Sequence, residues 1–182
     1  MAAKPQRYVA LFRGINVGKA KRIAMADLRE LLTGLGYGRV ETLLNSGNAC
    51  FDASGRAAQH GERIRQAVLE TLGVDAAVLV KSAAEIDAAI QGLPMKAEAE
   101  ADPSHLLVAL IEDAKALQAL QPLLARDWGV EQLRQVGDCA YLSCPVGIND
   151  SPLALALSKA LRSGVTTRNW STLLKIRQAL SA

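Results

Sequence analysis

The feature that most constrains this chain is an order of apolar runs and breakers that occurs twice. Tyr8-Val9-Ala10-Leu11-Phe12 alternates as a strand, and Met25, Leu28, Leu31, Leu32 and Leu35 then fall at helical spacing until Gly34 and Gly36 stop them. Two strands follow, Arg39 to Leu44 and Asn48 to Asp52, about Asn45-Ser46-Gly47-Asn48, whose glycine supplies the positive φ of a tight hairpin. A helix from about Arg56 to Leu72 carries Ile64, Val68, Leu69 and Leu72 as its stripe; Gly73 ends it, and Ala76 to Val80 is a short apolar strand. The order is βαββαβ, a ferredoxin-like split unit.

Beyond a short helix from Ser82 to about Ile90, the chain loosens through Gly92, Pro94 and the charged, alanine-rich 96–103, which reads as a linker. Ser104 to Ile111 is then a strongly apolar strand and Ala114 to Leu124 a helix. Gln132 to Val136 and Cys139 to Cys144 form a hairpin about Gly137-Asp138. Asn149-Asp150-Ser151-Pro152 is a helix-start signal with proline at the first helical position, opening a helix through Leu153, Leu157 and Leu161. Where a last strand would come stands Gly164-Val165-Thr166-Thr167-Arg168-Asn169-Trp170. Thr166 or Thr167 reads there as the N-cap of a final helix that buries Trp170, Leu173, Leu174 and Leu180, leaving Arg168, Asn169 and Thr172 near its positive end. The expected fold is α+β: two ferredoxin-like halves, the second lacking its last strand and ending in an extra C-terminal helix. The expected boundaries are 1–91, a linker at 92–103, and 104–182.

Composition bounds the function. Apolar residues make up 50% and charged residues 21% of 182, which suits a folded globular chain. A net charge of +3 is well short of a dedicated nucleic-acid binder, and 4% aromatics cannot build a base-stacking platform. Sequence-specific nucleic-acid recognition is therefore not expected. Cys50, Cys139 and Cys144 form an odd set without metal-site spacing, and read as buried thiols in a reducing cytosol. No apolar run approaches the ~20 residues that span a bilayer, and no signal peptide is visible. The expectation is a cytoplasmic protein with no membrane segment, no metal and no assigned cofactor.

The chemistry gathers in Arg13-Gly14-Ile15-Asn16-Val17-Gly18-Lys19-Ala20-Lys21-Arg22, between the first strand and the first helix. Glycines there let backbone N–H groups converge and the cations add charge, a common way to hold an anion. It is not a P-loop: three residues rather than four separate the glycines, and alanine follows the lysine where magnesium needs a hydroxyl. Glu112-Asp113 after the strand ending at Ile111 only loosely imitates the acid of such enzymes. Ser46 lacks a nucleophile elbow. His60 and His105 have no ligand spacing, and no paired carboxylates emerge.

Arg13-Gly14-Ile15-Asn16-Val17-Gly18, Ser46-Gly47-Asn48 and Thr166-Thr167-Arg168-Asn169-Trp170, in that order and spacing, resemble the bacterial domain-of-unknown-function family 1697. The resemblance covers nearly the whole chain and implies two ferredoxin-like halves, but brings no settled activity. Members of that family commonly continue past Gly18 with a second glycine and an asparagine, where Lys19-Ala20-Lys21 makes this surface more basic.

The expected site is one cleft between the halves, lined by Arg13, Gly14, Asn16, Gly18 and Lys19 with Ser46, Asn48, Thr167, Arg168 and Asn169, and taking a phosphate- or carboxylate-bearing small molecule. Two alternatives stand beside it. One is an enzyme acting on a phosphorylated metabolite through a base the sequence does not name. The other is a structural or partner-binding module whose motifs only latch the fold.

Overall fold

A continuous apolar run, buried on both faces, forms the centre of the first sheet. The computed structural model describes residues 5–18 and 21–182. Strand β1 (Gln6–Arg13) lies at the centre, between β3 (Asn48–Ala53) and β4 (Ala77–Ser82), with β2 (Gly38–Leu43) at the edge beyond β3. Every pairing is antiparallel, with Val9 opposite Cys50 and Phe12 opposite Val78. Tyr8, Ala10, Phe12, Ala49, Phe51 and Val80 pack with Leu28 and Leu32 of α1 (Met25–Gly34) and Ile64 and Val68 of α2 (Ala57–Leu72). A one-residue slip would turn that set away from the two helices, while Val9, Leu11 and Cys50 on the opposite face are buried as well. Gly73, at φ 66, ends α2 in the left-handed conformation that glycine adopts without strain.

The second sheet repeats the plan. Strand β5 (Leu106–Ile111), buried at all six positions, lies between β7 (Cys139–Ser143) and β8 (Val165–Asn169), and β6 (Gln132–Val136) pairs with β7 at the edge. Helices α5 (Ala114–Leu124) and α6 (Pro152–Leu161) supply Leu120, Leu153, Leu157 and Leu161 to its core. Asp113 caps α5 through Ala116 N, and Ser151 caps α6 through Ala154 N. A 3-10 turn over Arg162–Gly164 leads into β8.

Strand β8 corrects one expectation. The second half does not lack its last strand: 165–169 runs antiparallel to β5, with Ala109 opposite Thr167 and Ile111 opposite Val165. The physical reason is that β5 is wholly buried, so the N–H and C=O groups along its second edge need a partner, and β-branched Val165, Thr166 and Thr167 suit a strand. The terminal helix α7 (Trp170–Ser181) therefore starts later than expected, and Asn169 rather than a threonine caps it. Thr172 N donates to Asn169 Oδ1 at 2.9 Å. Leu173 of α7 is fully buried and Leu174 exposed.

In chain order, α3 (Ala83–Gln91) and α4 (Lys96–Ala101) come between β4 and β5. The stretch read as linker thus contains a helical turn whose Ala99 is buried, beside buried Met95. The chain divides into two compact units, one comprising residues up to Ile86 with Lys175–Ala182, the other Asp87–Leu174. Within the first, the end of α7 is held by arginines. Arg7 Nη2 donates to Ala179 O at 3.2 Å and Arg39 Nη1 to Ala182 O at 2.9 Å, while Asp52 accepts from both arginines.

Candidate functional site

The described residues of the basic stretch, 13–18 and 21–22, are pinned to the core of the first unit. Ile15 and Ile23 are 1% and 4% exposed and belong to the first unit's core. Between them Asn16 sits at φ 56, a left-handed position that asparagine tolerates better than most side chains. Its amide organises everything nearby: Nδ2 donates to Ile23 O at 2.9 Å and to Asn45 O at 2.8 Å, and Oδ1 accepts from Ile23 N at 2.9 Å. Its backbone N–H donates to Lys21 O at 3.0 Å. Arg22 Nη2 donates to Gly18 O at 2.9 Å.

The Ser46-Gly47-Asn48 motif locks onto this loop. Gly47 O accepts from Phe12 N at 2.9 Å. A Cβ at Gly47 would lie 2.5 Å from Ile15 Cδ1 and 2.8 Å from Phe12 Cβ, so only glycine allows the hairpin to close against β1. Asn48, fully buried, donates from Nδ2 to Leu43 O at 2.8 Å and to Ser46 Oγ at 3.1 Å, stapling the four-residue turn. The first two motifs therefore meet in space, with their asparagine amides bonded inside the scaffold.

What the scaffold leaves facing water is positive. Gly14, Gly18, Lys21, Arg22 and Ser46 are exposed, and Arg13 is half-buried. Six Lys and Arg residues and no carboxylate precede Asp27, and none interrupts the hairpin from Thr42 to Phe51. Burial pulls the Arg13 pKa below the usual arginine value. A cation partly stripped of water gains more from a nearby anion than one in bulk solvent. Helix α1 opens at the end of this loop with Ala24 as N-cap and no side-chain acceptor on its first amides. Lys19 lies outside the described residues.

The third motif belongs to the second unit. Thr167 and Asn169 are half-buried there; Arg168 is buried, in β8 rather than at a helix start, and Nη1 donates to Thr167 O at 2.9 Å. Desolvation lowers its pKa to about 10, still fully charged at neutral pH.

Other chemistry-bearing residues fall outside this cluster. His60, in α2, is buried among Tyr8, Tyr37 and Phe51, with Nδ1 3.1 Å from the Tyr37 hydroxyl, and burial followed by the charge of Arg63 lowers its pKa. His105, expected within an apolar strand, instead precedes β5 and is half-exposed, its Nδ1 2.6 Å from Asp102 Oδ2. That pairing was hidden in a stretch read as linker; the Asp-Pro-Ser-His spacing that bends Asp102 back toward His105 was its only signal. Burial pushes the Cys50 thiol up to about 12 and raises Cys144 as well, so neither is a thiolate at neutral pH. Among the described residues no three His, Cys, Asp or Glu side chains come together as a metal site, and no helix is long and apolar enough to cross a membrane.

The family model described as "Protein of unknown function (DUF1697)" matches residues 6–141. The chain belongs to this family. Among solved structures it resembles "conserved bacterial protein SP0830 from Streptococcus pneumoniae", with a TM-score of 0.76 and 24% identity over 97% of this chain and 99% of that one. At that identity the likeness establishes the fold: two four-stranded antiparallel sheets with interleaved helices. No curated protein matches this DUF1697 member.

Proposed function

We propose that this DUF1697 protein binds a phosphate- or carboxylate-bearing ligand at the basic loop of its first unit. The observation that carries the reading is a carboxylate-free, glycine-bearing stretch whose described residues are pinned by Asn16 and the Gly47 contact, leading to the uncapped amino end of α1. In this reading Arg13 neutralises the anion, and the backbone around Gly14 and Gly18 with the first amides of α1 donates to it. Lys19, Lys21 and Arg22 raise its local concentration. Ser46 offers an exposed hydroxyl beside them, and Asn16 and Asn48 hold the shape. A cytosolic setting accords with three buried free cysteines.

A thermal-shift series with phosphate, sulfate, sugar phosphates, nucleotides and simple carboxylates tests this. A ligand at ~100 times its Kd should add about 2.7 kcal/mol, raising the melting temperature by about 5–10 °C in a protein of this size. Arg13→Ala and the Lys21→Glu/Arg22→Glu pair should lose that shift. If no anion raises the wild-type midpoint, the reading fails.

A second reading, in which the motifs are structural latches, is favoured at one place. Arg168 is buried and its Nη1 donates to the Thr167 carbonyl of its own strand; in this reading Thr167, Arg168 and Asn169 serve β8 and the start of α7. Arg168→Ala separates the two. A loss of several kcal/mol with every anion response intact assigns the third motif to stability; a lost anion response at unchanged stability assigns it to the ligand.

A further inference from the structure

We propose that two neighbouring segments of the first unit, residues 14–18 with 21–22 and residues 44–46, seat the protein on an anionic lipid surface. The proposal rests on the reading that the loop takes an anion, and it names the source as the phosphate headgroups of a bilayer.

Two apolar side chains stand in water on these segments. Val17 is 74% exposed and Leu44 45%. Each adjoins an asparagine of the same hydrogen bond, Asn16 Nδ2 to Asn45 O at 2.8 Å, so the two segments are held side by side. Leu44 is also in the left-handed region, at φ 57, where Asn or Gly would sit with less strain. A bulky apolar residue kept in a strained, solvent-facing turn has no benefit to the core, which is supplied instead by Ile15 and Ile23.

The sequence flanking this pair carries charge of one sign. Arg13, Lys21 and Arg22 surround Val17 in sequence, and no carboxylate lies before Asp27 or between Glu41 and Asp52. Cations attract anionic headgroups, each contributing modestly, while a few apolar side chains enter the interfacial zone. Such exposed segments fit a soft, flat, negative surface, whereas a protein partner would have to bring an acidic pocket shaped to both. Because Asn16, Ile15 and Ile23 pin the loop from below, the exposed side chains can enter the headgroup layer without unfolding it.

Flotation with vesicles of phosphatidylcholine alone, or mixed with phosphatidylglycerol, decides it. The wild type should bind the anionic vesicles only, and less as salt rises. The Val17→Asn/Leu44→Asn pair keeps every cation and places a side chain suited to the left-handed turn at 44. It should bind anionic vesicles at least about tenfold more weakly, since burying even one Val or Leu side chain is worth that much. Lys21→Glu/Arg22→Glu should abolish binding. Absence of binding to anionic vesicles, or binding that the Val17/Leu44 change leaves untouched, overturns the proposal, as does capture of an acidic peptide by a protein that ignores the vesicles. Thermal shifts with inorganic phosphate run in parallel. A phosphate shift without vesicle binding removes the lipid proposal alone, and loss of both removes the anion reading too.

Discussion

Gly47→Ala is the sharpest perturbation of the loop pair. Its φ of +82 already disfavours any side chain, which costs about 1–2 kcal/mol. A Cβ there also meets three atoms inside 3.0 Å: Ile15 Cδ1 at 2.5 Å, Phe12 Cβ at 2.8 Å and Ile15 Cγ1 at 2.9 Å. The Ile15 side chain could rotate in open space, but it is 1% exposed and packed in the core, and Phe12 Cβ is fixed to the backbone of β1. Relief therefore requires the hairpin to move off β1, stretching the 2.9 Å bond from Phe12 N to Gly47 O. Overpacking of this kind costs about 1–3 kcal/mol, for a total of roughly 2–5 kcal/mol and a fall in melting temperature of about 4–20 °C. Gly18→Ala is the control: its φ is +65 but nothing lies within 4 Å of the added carbon, so only the conformational cost of about 1–2 kcal/mol applies. Equilibrium urea unfolding followed by circular dichroism measures both. If Gly47→Ala loses less than about 1 kcal/mol, or no more than Gly18→Ala, the close approach of the two motifs is not what holds the loop.

Three further outcomes follow from the same geometry. Asn16→Ala strands the partly buried carbonyl and N–H of Ile23 and frees the exposed Asn45 carbonyl to water; a loss of about 2–4 kcal/mol, read by thermal melts, is expected from the two Ile23 groups left without partners. His60 has a folded pKa depressed below 6.5, first by burial and then by Arg63. Above that value neither state binds a proton at His60. As pH falls through it the unfolded chain takes up a proton that the folded one resists, so stability declines on the acid side, and His60→Phe should flatten that part of a stability-against-pH curve. Asp52→Asn weakens the charged acceptor for Arg7 and Arg39. Amide exchange in the last turn of α7 should then quicken while exchange in β5 stays unchanged.

Long apolar periodicities were legible in the sequence because one physical force sets them. Every helix and strand of the first unit begins and ends within a few residues of where period and breakers place it, since Gly36 and Gly73 stop helices for reasons local to themselves. Val165–Asn169 was not legible. Its threonines and asparagine carry helix-cap chemistry, and what makes it a strand is the open edge of β5, more than fifty residues earlier in the chain. The same limit applies to the loop. Glycine and charge at 13–22 could be read directly, whereas the choice of Ile23 and Asn45 carbonyls by Asn16, and the contact of Gly47 with Ile15, depend on where β1 and the hairpin meet. Arg7 gave no signal at all, because its partners lie on β2, β3 and α7.

The account turns on whether the pinned basic loop takes an anion. Two-dimensional amide NMR of the protein during titration with inorganic phosphate tests that most directly. Saturable shifts confined to the amides of residues 14–18 and 24–27, and abolished by Lys21→Glu/Arg22→Glu, are the predicted result. Spectra that stay unchanged, or that drift everywhere in proportion to phosphate without saturating, would contradict it.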